Sequence, residues 1–221
     1  MNTIYTKTYD EPDYNVKEIL RYAGAADADE NITELYKNAA EELKGALSYR
    51  VCCREFPISF RDGILDLTFT QTASADLKKN LKDCQSIVLF AATIGIYIDR
   101  MIIKYSGISP SKSLMLQAIG AERIESLCDM FNRDVTLAAQ KDGKYTMPRF
   151  SPGYGDLDIS IQSEIFKVLD CPRKIGLSLN ESLLMSPSKS VTAIIGISDT
   201  CTNASISKCA ACKKYDCNFR K

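Results

Sequence analysis

The chain has 221 residues, with 28 basic and 28 acidic side chains, nine cysteines and no histidine. A net charge of zero argues against a general nucleic-acid-binding protein, because such proteins present a basic surface to phosphates. Without histidine, a Ser-His-Asp triad, a Cys-His dyad and a histidine metal site are excluded. Any chemistry must use carboxylates, thiols, arginine, tyrosine or a bound cofactor.

The sequence of the N-terminal quarter predicts a loose polar arm followed by two helices. Residues 1–12 show no apolar pattern, and they lack the basic and apolar segments of a secretory signal. Asn15 is a suitable N-cap for a short helix. A second helix begins at Asp29 or Asn31 and runs to about Tyr49, because apolar residues recur there at intervals of four.

The next segment predicts a hairpin, a short helix and a central strand. Residues 51–60 and 64–69 flank a turn at 61–63 and form the hairpin. Ser74 caps the short helix. The run at 86–92 is uninterrupted in its apolar character and has the length of a buried strand. Even with its apolar extension this run is too short for a membrane span, which needs about 20 residues.

Pro110 opens the longest predicted helix, which runs to about Gln140. Its apolar residues share one face, and Glu122, Glu125 and Asp129 lie on the opposite side at i, i+3 and i+7. These carboxylates form either a solvated face or a cluster that holds a cation or a sulfonium.

Residues 148–158 hold two prolines and two glycines and predict an ordered loop. Gly153 lets the backbone approach a ligand closely. Arg149 offers a fixed fork for a carboxylate, and Tyr154 offers a flat face and a hydroxyl. The loop is therefore either a tight connection or a ligand-binding segment. A helix follows, and then a β-rich run at 190–197.

From Ser198 the chain changes to small polar residues and four cysteines, namely Cys201, Cys209, Cys212 and Cys217. Four thiolates with one Cys-x-x-Cys pair suit tetrahedral zinc or an iron–sulfur cluster. The alternative is a tail of free thiols, because a second Cys-x-x-Cys is missing. The other five cysteines lie in apolar surroundings and are predicted to be core residues. The missing export signal predicts reduced thiols and a cytoplasmic location.

Strands and helices occur in clusters, without a regular βαβ alternation or a GxGxxG motif. This pattern predicts a single α+β domain with a mostly antiparallel sheet flanked by helices. We divide the chain into an N-terminal arm with its helices at 1–50, an α+β core at 51–198 and a cysteine-rich tail at 199–221.

Several segments, in order, resemble the reductive activation domain of cobalamin-dependent methionine synthase. The loop with Arg149, Pro152, Gly153 and Tyr154 resembles the arginine-to-tyrosine loop of that domain. Free-standing versions in anaerobic bacteria, which carry a cysteine-rich end, are also similar. The likeness covers roughly residues 15–200 and includes the segments 91–95, 99–100, 118–131, 179–185 and 190–192.

The resemblance implies a curved domain that binds S-adenosylmethionine in a groove and caps the corrin ring of a cobalamin-binding partner. An electron donor reduces the inactive cob(II)alamin, and the cobalt then takes a methyl group from S-adenosylmethionine. Arg149 would bind the ligand's carboxylate, and Tyr154 would face both ligand and corrin.

Other residues follow from the same resemblance. The backbone at Ser151, Pro152 and Gly153 would line the pocket. Glu125 matches the family's acidic ligand contact, and Asp129 is a second candidate. After Tyr154 the family's proline, alanine and histidine-containing stretch is replaced, which leaves the far pocket wall undefined.

The chain holds no counterpart of the modules that bind homocysteine, folate and cobalamin. The implied role is the activation component of a methyltransferase system for methionine synthesis, incomplete without a corrinoid protein and an electron donor. Neither nucleic acid nor a membrane is an expected partner. The alternative is a non-catalytic adaptor that binds a corrinoid protein, or a metal or redox module.

Overall fold

The computed structural model describes residues 3–25 and 27–200, which form ten strands and seven helices. The strands are β1 (Tyr5–Tyr9), β2 (Tyr49–Pro57), β3 (Ser59–Arg61), β4 (Ile64–Asp66), β5 (Gln71–Thr72), β6 (Ser86–Thr93), β7 (Tyr145–Thr146), β8 (Ser178–Leu179), β9 (Met185–Ser186) and β10 (Ser190–Ser198). The helices are α1 (Val16–Tyr22), α2 (Glu30–Leu43), α3 (Ala75–Asn80), α4 (Tyr97–Ser106), α5 (Pro110–Lys141), α6 (Ile161–Leu169) and α7 (Cys171–Ile175).

The main sheet has five antiparallel strands in the order β1-β2-β6-β10-β7. Strand β6 lies in the middle, as its uninterrupted apolar run predicts. Its side chains alternate between two core clusters, with Ile87 and Leu89 on one face and Phe90 and Ala92 on the other. A strand buried on both faces needs apolar residues at every position, which explains the run. The predicted α+β domain with a mostly antiparallel sheet is therefore confirmed.

Two helical layers cover the sheet. Helices α1, α2, α4 and α5 pack on one face, and α3, α6 and α7 pack on the other. The predicted caps are present, because the side chains of Asn15, Asp29 and Ser74 accept hydrogen bonds from the first turns of α1, α2 and α3. Helix α2 ends at Leu43, six residues earlier than expected, because Tyr49 already begins β2.

The expectation of a loose arm over residues 1–12 is wrong for Tyr5–Tyr9. These residues form the edge strand β1, in register from Tyr5 opposite Cys53 to Tyr9 opposite Tyr49. Most of its side chains are exposed, so the strand leaves no apolar pattern in the sequence. Backbone pairing holds it, together with Lys7 and Tyr9, which donate to the Asp134 carboxylate at 2.6 and 2.5 Å.

Glu122 does not belong to a solvated acidic face, which corrects that part of the prediction. Its carboxylate is buried and accepts a hydrogen bond from Arg123 Nε at 2.6 Å. Arg123 is fully buried, donates to the carbonyls of Pro12 and Asp13, and stacks on the Tyr14 ring. The apolar stripe of α5 marks only the face toward the sheet, whereas the N-terminal segment covers this second face.

The buried Glu122–Arg123 ion pair leads to a prediction about the stability of the fold. Arg123→Met should lower the free energy of unfolding by about 3–5 kcal/mol, because it leaves the buried Glu122 charge uncompensated. Lys7→Met is the control. It breaks a half-exposed pair with Asp134 and should cost no more than about 1 kcal/mol. Urea unfolding of both variants measures the difference, and equal losses would contradict a clamping role for Arg123.

Candidate functional site

A cavity of about 600 Å³ opens beside the outer edge of β10. This volume lies within the range of small-molecule sites. Six residues that the sequence singled out line it, namely Glu125, Arg149, Ser151, Pro152, Gly153 and Tyr154. Asp129 is not among the lining residues and reaches the site through Arg149. The structure thus brings the predicted residues together, while their contact with a ligand stays a prediction.

The cavity exists because β10 loses its outer neighbour. Phe150 and Ile194 exchange two backbone hydrogen bonds, of 2.9 and 2.8 Å. The next rung of this antiparallel pairing would set Pro152 opposite Thr192, but proline has no N–H to donate. The chain then turns away at Gly153, which has a φ of 84°. The edge of β10 before Ile194 is left facing the cavity.

The loop after this rung is closed by its own backbone. Tyr154 N–H donates to the Ser151 carbonyl at 3.1 Å, and Gly153 N–H donates to the Leu157 carbonyl at 2.8 Å. Gly155 has a φ of 54°, and a Cβ there would lie 2.2 Å from Asp76 Oδ2, so a side chain would be strained and would displace the Asp76 carboxylate. These contacts agree with the ordered loop that the prolines and glycines predict.

Asp156 anchors the loop to α3 instead of forming a wall of the cavity. Its carboxylate accepts hydrogen bonds from the Ser74 hydroxyl and from the N–H groups of Ala75 and Asp76. These bonds, that of Ser74 first, hold the pKa of Asp156 below its usual range. Nothing in the sequence pairs residues 74 and 156, so sequence reasoning missed this anchor.

Arg149 is held by two carboxylates of α5. Its Nη2 donates to Glu125 Oε2 at 2.5 Å, and its Nη1 donates to Asp129 Oδ1 at 2.6 Å. Burial favours the neutral form, but the neighbouring Cys128, Asp129 and Glu125 hold the pKa of Arg149 above its usual range. The guanidinium is therefore charged, and the three charged groups sum to about −1.

Two buried polar atoms at the cavity have no hydrogen-bond partner within the described chain. They are Gln162 Oε1 on α6 and Thr192 Oγ1 on β10, in residues that are 6% and 2% exposed. Buried polar atoms are almost always hydrogen-bonded, so such a pair needs an explanation. The sequence carries a faint signal for both, because each is a polar residue at a position where its element is buried.

The predicted metal ligands Cys201, Cys209, Cys212 and Cys217 lie outside the described residues. Within the described ranges no group of three or more His, Cys, Asp or Glu side chains is arranged to hold a metal ion. The five described cysteines are free thiols, four buried and Cys53 partly exposed, as core residues would be. No helix in this part of the chain combines the length and apolar composition needed to cross a membrane.

The fold and the cavity define an α+β domain with a cavity of small-molecule size at an open sheet edge. The chain belongs to the family described as vitamin B12 dependent methionine synthase, activation domain, whose model matches residues 70–221. The match begins before α3 and includes the whole cavity lining. It also runs through the four-cysteine segment, which the sequence analysis treats as a separate tail.

The fold is that of a solved relative. A crystal structure of the MetH reactivation domain bound to AdoHcy superposes with a TM-score of 0.63 at 15% sequence identity. The alignment covers 90% of this chain and 80% of that chain. At 15% sequence identity, this structural similarity shows that the two chains share a fold. No curated protein sequence matches the chain.

The hydrogen bonds of the Asp156 carboxylate predict that its contribution to stability depends on pH. Its pKa is lower in the folded than in the unfolded state, so its stabilisation is present above about pH 4 and lost as pH falls through the folded value. Asp156→Asn should therefore be less stable than the unmodified protein at neutral pH, and the difference should shrink in acid. Unfolding curves between pH 7 and pH 2 measure it. Asp27→Asn, on an exposed turn, is the control, and a pH-independent difference would contradict the carboxylate anchor.

Proposed function

We propose that this protein binds S-adenosylmethionine in the cavity beside β10 and presents its methyl group to cobalamin on a separate corrinoid protein. The observation that carries the proposal is the convergence of Arg149, Glu125 and the loop 151–154 on one cavity. Family membership supplies the reaction class, a methyltransferase system that needs reductive activation. The relative of similar fold binds AdoHcy, the product of such a transfer.

In this proposal Arg149 binds the carboxylate of the ligand's amino-acid part. Both terminal amines already donate to Glu125 and Asp129, so the ligand carboxylate shares the guanidinium with them or displaces one of them. Asp129 is the more exposed partner and does not line the cavity, so it is the one displaced. The role of Asp129 is then to hold Arg149 in place before the ligand binds.

The charge of the site suits the sulfonium form of the ligand. S-adenosylmethionine carries a net charge of about +1, opposite to the sum over Arg149, Glu125 and Asp129. The Glu125 side chain is 41% exposed, so water weakens its attraction for the sulfonium. A moderate attraction is an advantage, because the positive charge fades in the transition state and strong ground-state binding would slow the transfer.

In this proposal Tyr154 faces the corrin. It lines the cavity, yet 69% of it is exposed, and its ring makes an edge contact with Phe150 at a centroid distance of 6.4 Å. An aromatic ring fixed at the mouth of a pocket offers a flat surface to a planar macrocycle. The corrin would then close the cavity over the ligand's methyl group.

The reaction needs positioning and no proton transfer. A separate donor supplies one electron to the cob(II)alamin substrate, and the methyl group then bonds to cobalt while the C–S electron pair stays on sulfur. The products are methylcobalamin and S-adenosylhomocysteine. A protein without histidine can catalyse this in-line displacement by holding the reacting atoms about 3–3.5 Å apart.

Location and partner follow from the same proposal. The free thiols of the described residues suit a reducing compartment, so we assign the protein to the cytoplasm. It acts on a cobalamin-binding methionine synthase or another corrinoid protein. The adaptor alternative predicts binding of the corrinoid protein without any affinity for S-adenosylmethionine, so calorimetry with that ligand separates the two.

The first functional prediction concerns Arg149. Arg149→Ala should weaken S-adenosylmethionine binding by about 1.5–3 kcal/mol, the contribution of a charge-assisted hydrogen bond. Arg173→Ala is the matched control, because that guanidinium is exposed on α7 and should leave the affinity unchanged. Calorimetry measures both. An Arg149→Ala protein with unchanged affinity would make the loop a structural connection only.

A second prediction separates ligand binding from methyl transfer. Tyr154→Phe should slow methylcobalamin formation on a cob(II)alamin partner with an electron donor, and should change S-adenosylmethionine affinity much less. The reason is that Tyr154 lines the cavity and is largely exposed, so in this proposal it meets the partner more than the ligand. Tyr145→Phe on β7 is the control. Equal losses of affinity and rate in Tyr154→Phe would reject the corrin-facing role.

A third prediction concerns the tail. We propose that Cys201, Cys209, Cys212 and Cys217 bind one metal centre. This centre either receives electrons or has a structural role in the tail. Protein purified without oxygen should carry iron and sulfide, or about one zinc per chain. The double change Cys209→Ser with Cys212→Ser should remove the metal, whereas Cys53→Ser should retain it. Metal-free protein from an anaerobic preparation would contradict the site.

A further inference from the structure

The two unpartnered atoms of the cavity lie on its inner wall. Thr192 shares a strand face with Ile194, because residues two apart in a strand point the same way. Ile194 belongs to the core cluster that includes Ile161 and Ile165 of α6. Gln162 is the second residue of α6, so both polar side chains belong to the α6 side of the sheet.

The charged groups occupy the other wall. Glu125 and Arg149 are tied to α5, which packs on the opposite face of the sheet. The cavity therefore has a charged wall from α5 and a neutral polar wall from α6 and β10. A ligand that fills it must carry charged groups at one end and neutral hydrogen-bonding groups at the other.

A neighbouring buried hydroxyl at the same cavity does have hydrogen-bond partners. Ser190 lies on the same strand and is also buried, yet its Oγ donates to the Pro187 carbonyl at 2.8 Å and shares a hydrogen bond of 2.9 Å with the Thr93 hydroxyl. The backbone of Thr192 adds further polar groups that need hydrogen-bond partners at the cavity. Ile194 directs its N–H and C=O outward to Phe150, and by the two-residue alternation Thr192 directs its own toward the cavity.

We infer that Gln162 and Thr192 form the nucleoside subsite of this cavity, an inference that rests on the proposed binding of S-adenosylmethionine. The Gln162 carbonyl oxygen accepts from an uncharged donor, such as a ring amino group or a sugar hydroxyl. The Thr192 hydroxyl donates or accepts beside it. The amino-acid half of the ligand lies toward Arg149 and Glu125, and the adenosine half lies against α6 and the open edge of β10.

Two ligands test whether the cavity is divided into an amino-acid subsite and a nucleoside subsite. S-adenosylhomocysteine carries both halves, and 5′-methylthioadenosine lacks the amino-acid half. Gln162→Leu and Thr192→Val should each weaken binding of both ligands about tenfold, the effect of leaving one buried donor or acceptor of the ligand unpaired. Arg149→Ala should weaken S-adenosylhomocysteine alone. Calorimetry of the full chain measures each affinity.

A matched control uses the same substitution outside the cavity. Thr136→Val on α5 removes a hydroxyl that bonds the Asn132 carbonyl at 2.9 Å and Thr146 Oγ1 at 2.8 Å. It should leave both affinities unchanged and lower the thermal midpoint. Gln162→Leu and Thr192→Val should not lower the ligand-free midpoint, because each replaces an unpartnered buried polar group with an apolar one.

The outcomes separate the subsite from the proposed function. If the unmodified protein binds neither ligand, the proposed function fails and the subsite with it. If the unmodified protein binds both ligands and the Gln162 and Thr192 variants bind as tightly, the subsite is overturned while the proposed function stands. A lower ligand-free midpoint in these two variants would assign them a structural role and would also overturn the subsite.

Discussion

The missing N–H of Pro152 is the constraint on which the site depends. It makes Phe150–Ile194 the last rung of the pairing with β10, and the chain leaves the sheet after it. Arg149 precedes the last rung and stays against α5, whereas Tyr154 follows the turn and reaches the mouth of the cavity. One backbone event thus opens the sheet edge and places the charged and the aromatic side chains on either side of it.

Helix α5 shows how the same residue type takes different roles on neighbouring turns. Glu122 and Glu125 are three residues apart, and each pairs with an arginine. The Glu122–Arg123 pair is covered by the N-terminal segment and clamps it, whereas the Glu125–Arg149 pair remains partly open to solvent at the cavity. What covers a carboxylate, and not its position on the helical wheel, decides whether it forms a buried structural pair or stays open at the cavity.

This difference explains which features of the fold and the site could be predicted from the sequence and which could not. The uninterrupted run of β6, the caps at Asn15 and Ser74, and the loop at 148–158 are local patterns, and the structure contains them as predicted. The edge strand β1 and the buried Glu122 depend on segments far apart in the chain, and local periodicity does not record them. The missing hydrogen-bond partners of Gln162 and Thr192 can be recognised only when the neighbours of each side chain are known, and only the folded chain shows these.

A transfer without proton movement leaves the protein one main task, which is to hold its ligand in a fixed place. The loop at the cavity is fixed at both ends, by the Phe150–Ile194 rung on one side and by the Asp156 carboxylate on α3 on the other. Asp129 contacts Arg149 from outside the cavity and holds its side chain in place before the ligand binds. Catalysis by orientation fails when the reacting groups shift by about 1 Å, so contacts that never touch the ligand still set the rate. The proposed reaction depends on positioning and not on general acid–base residues, so the absence of histidine from the chain is compatible with it.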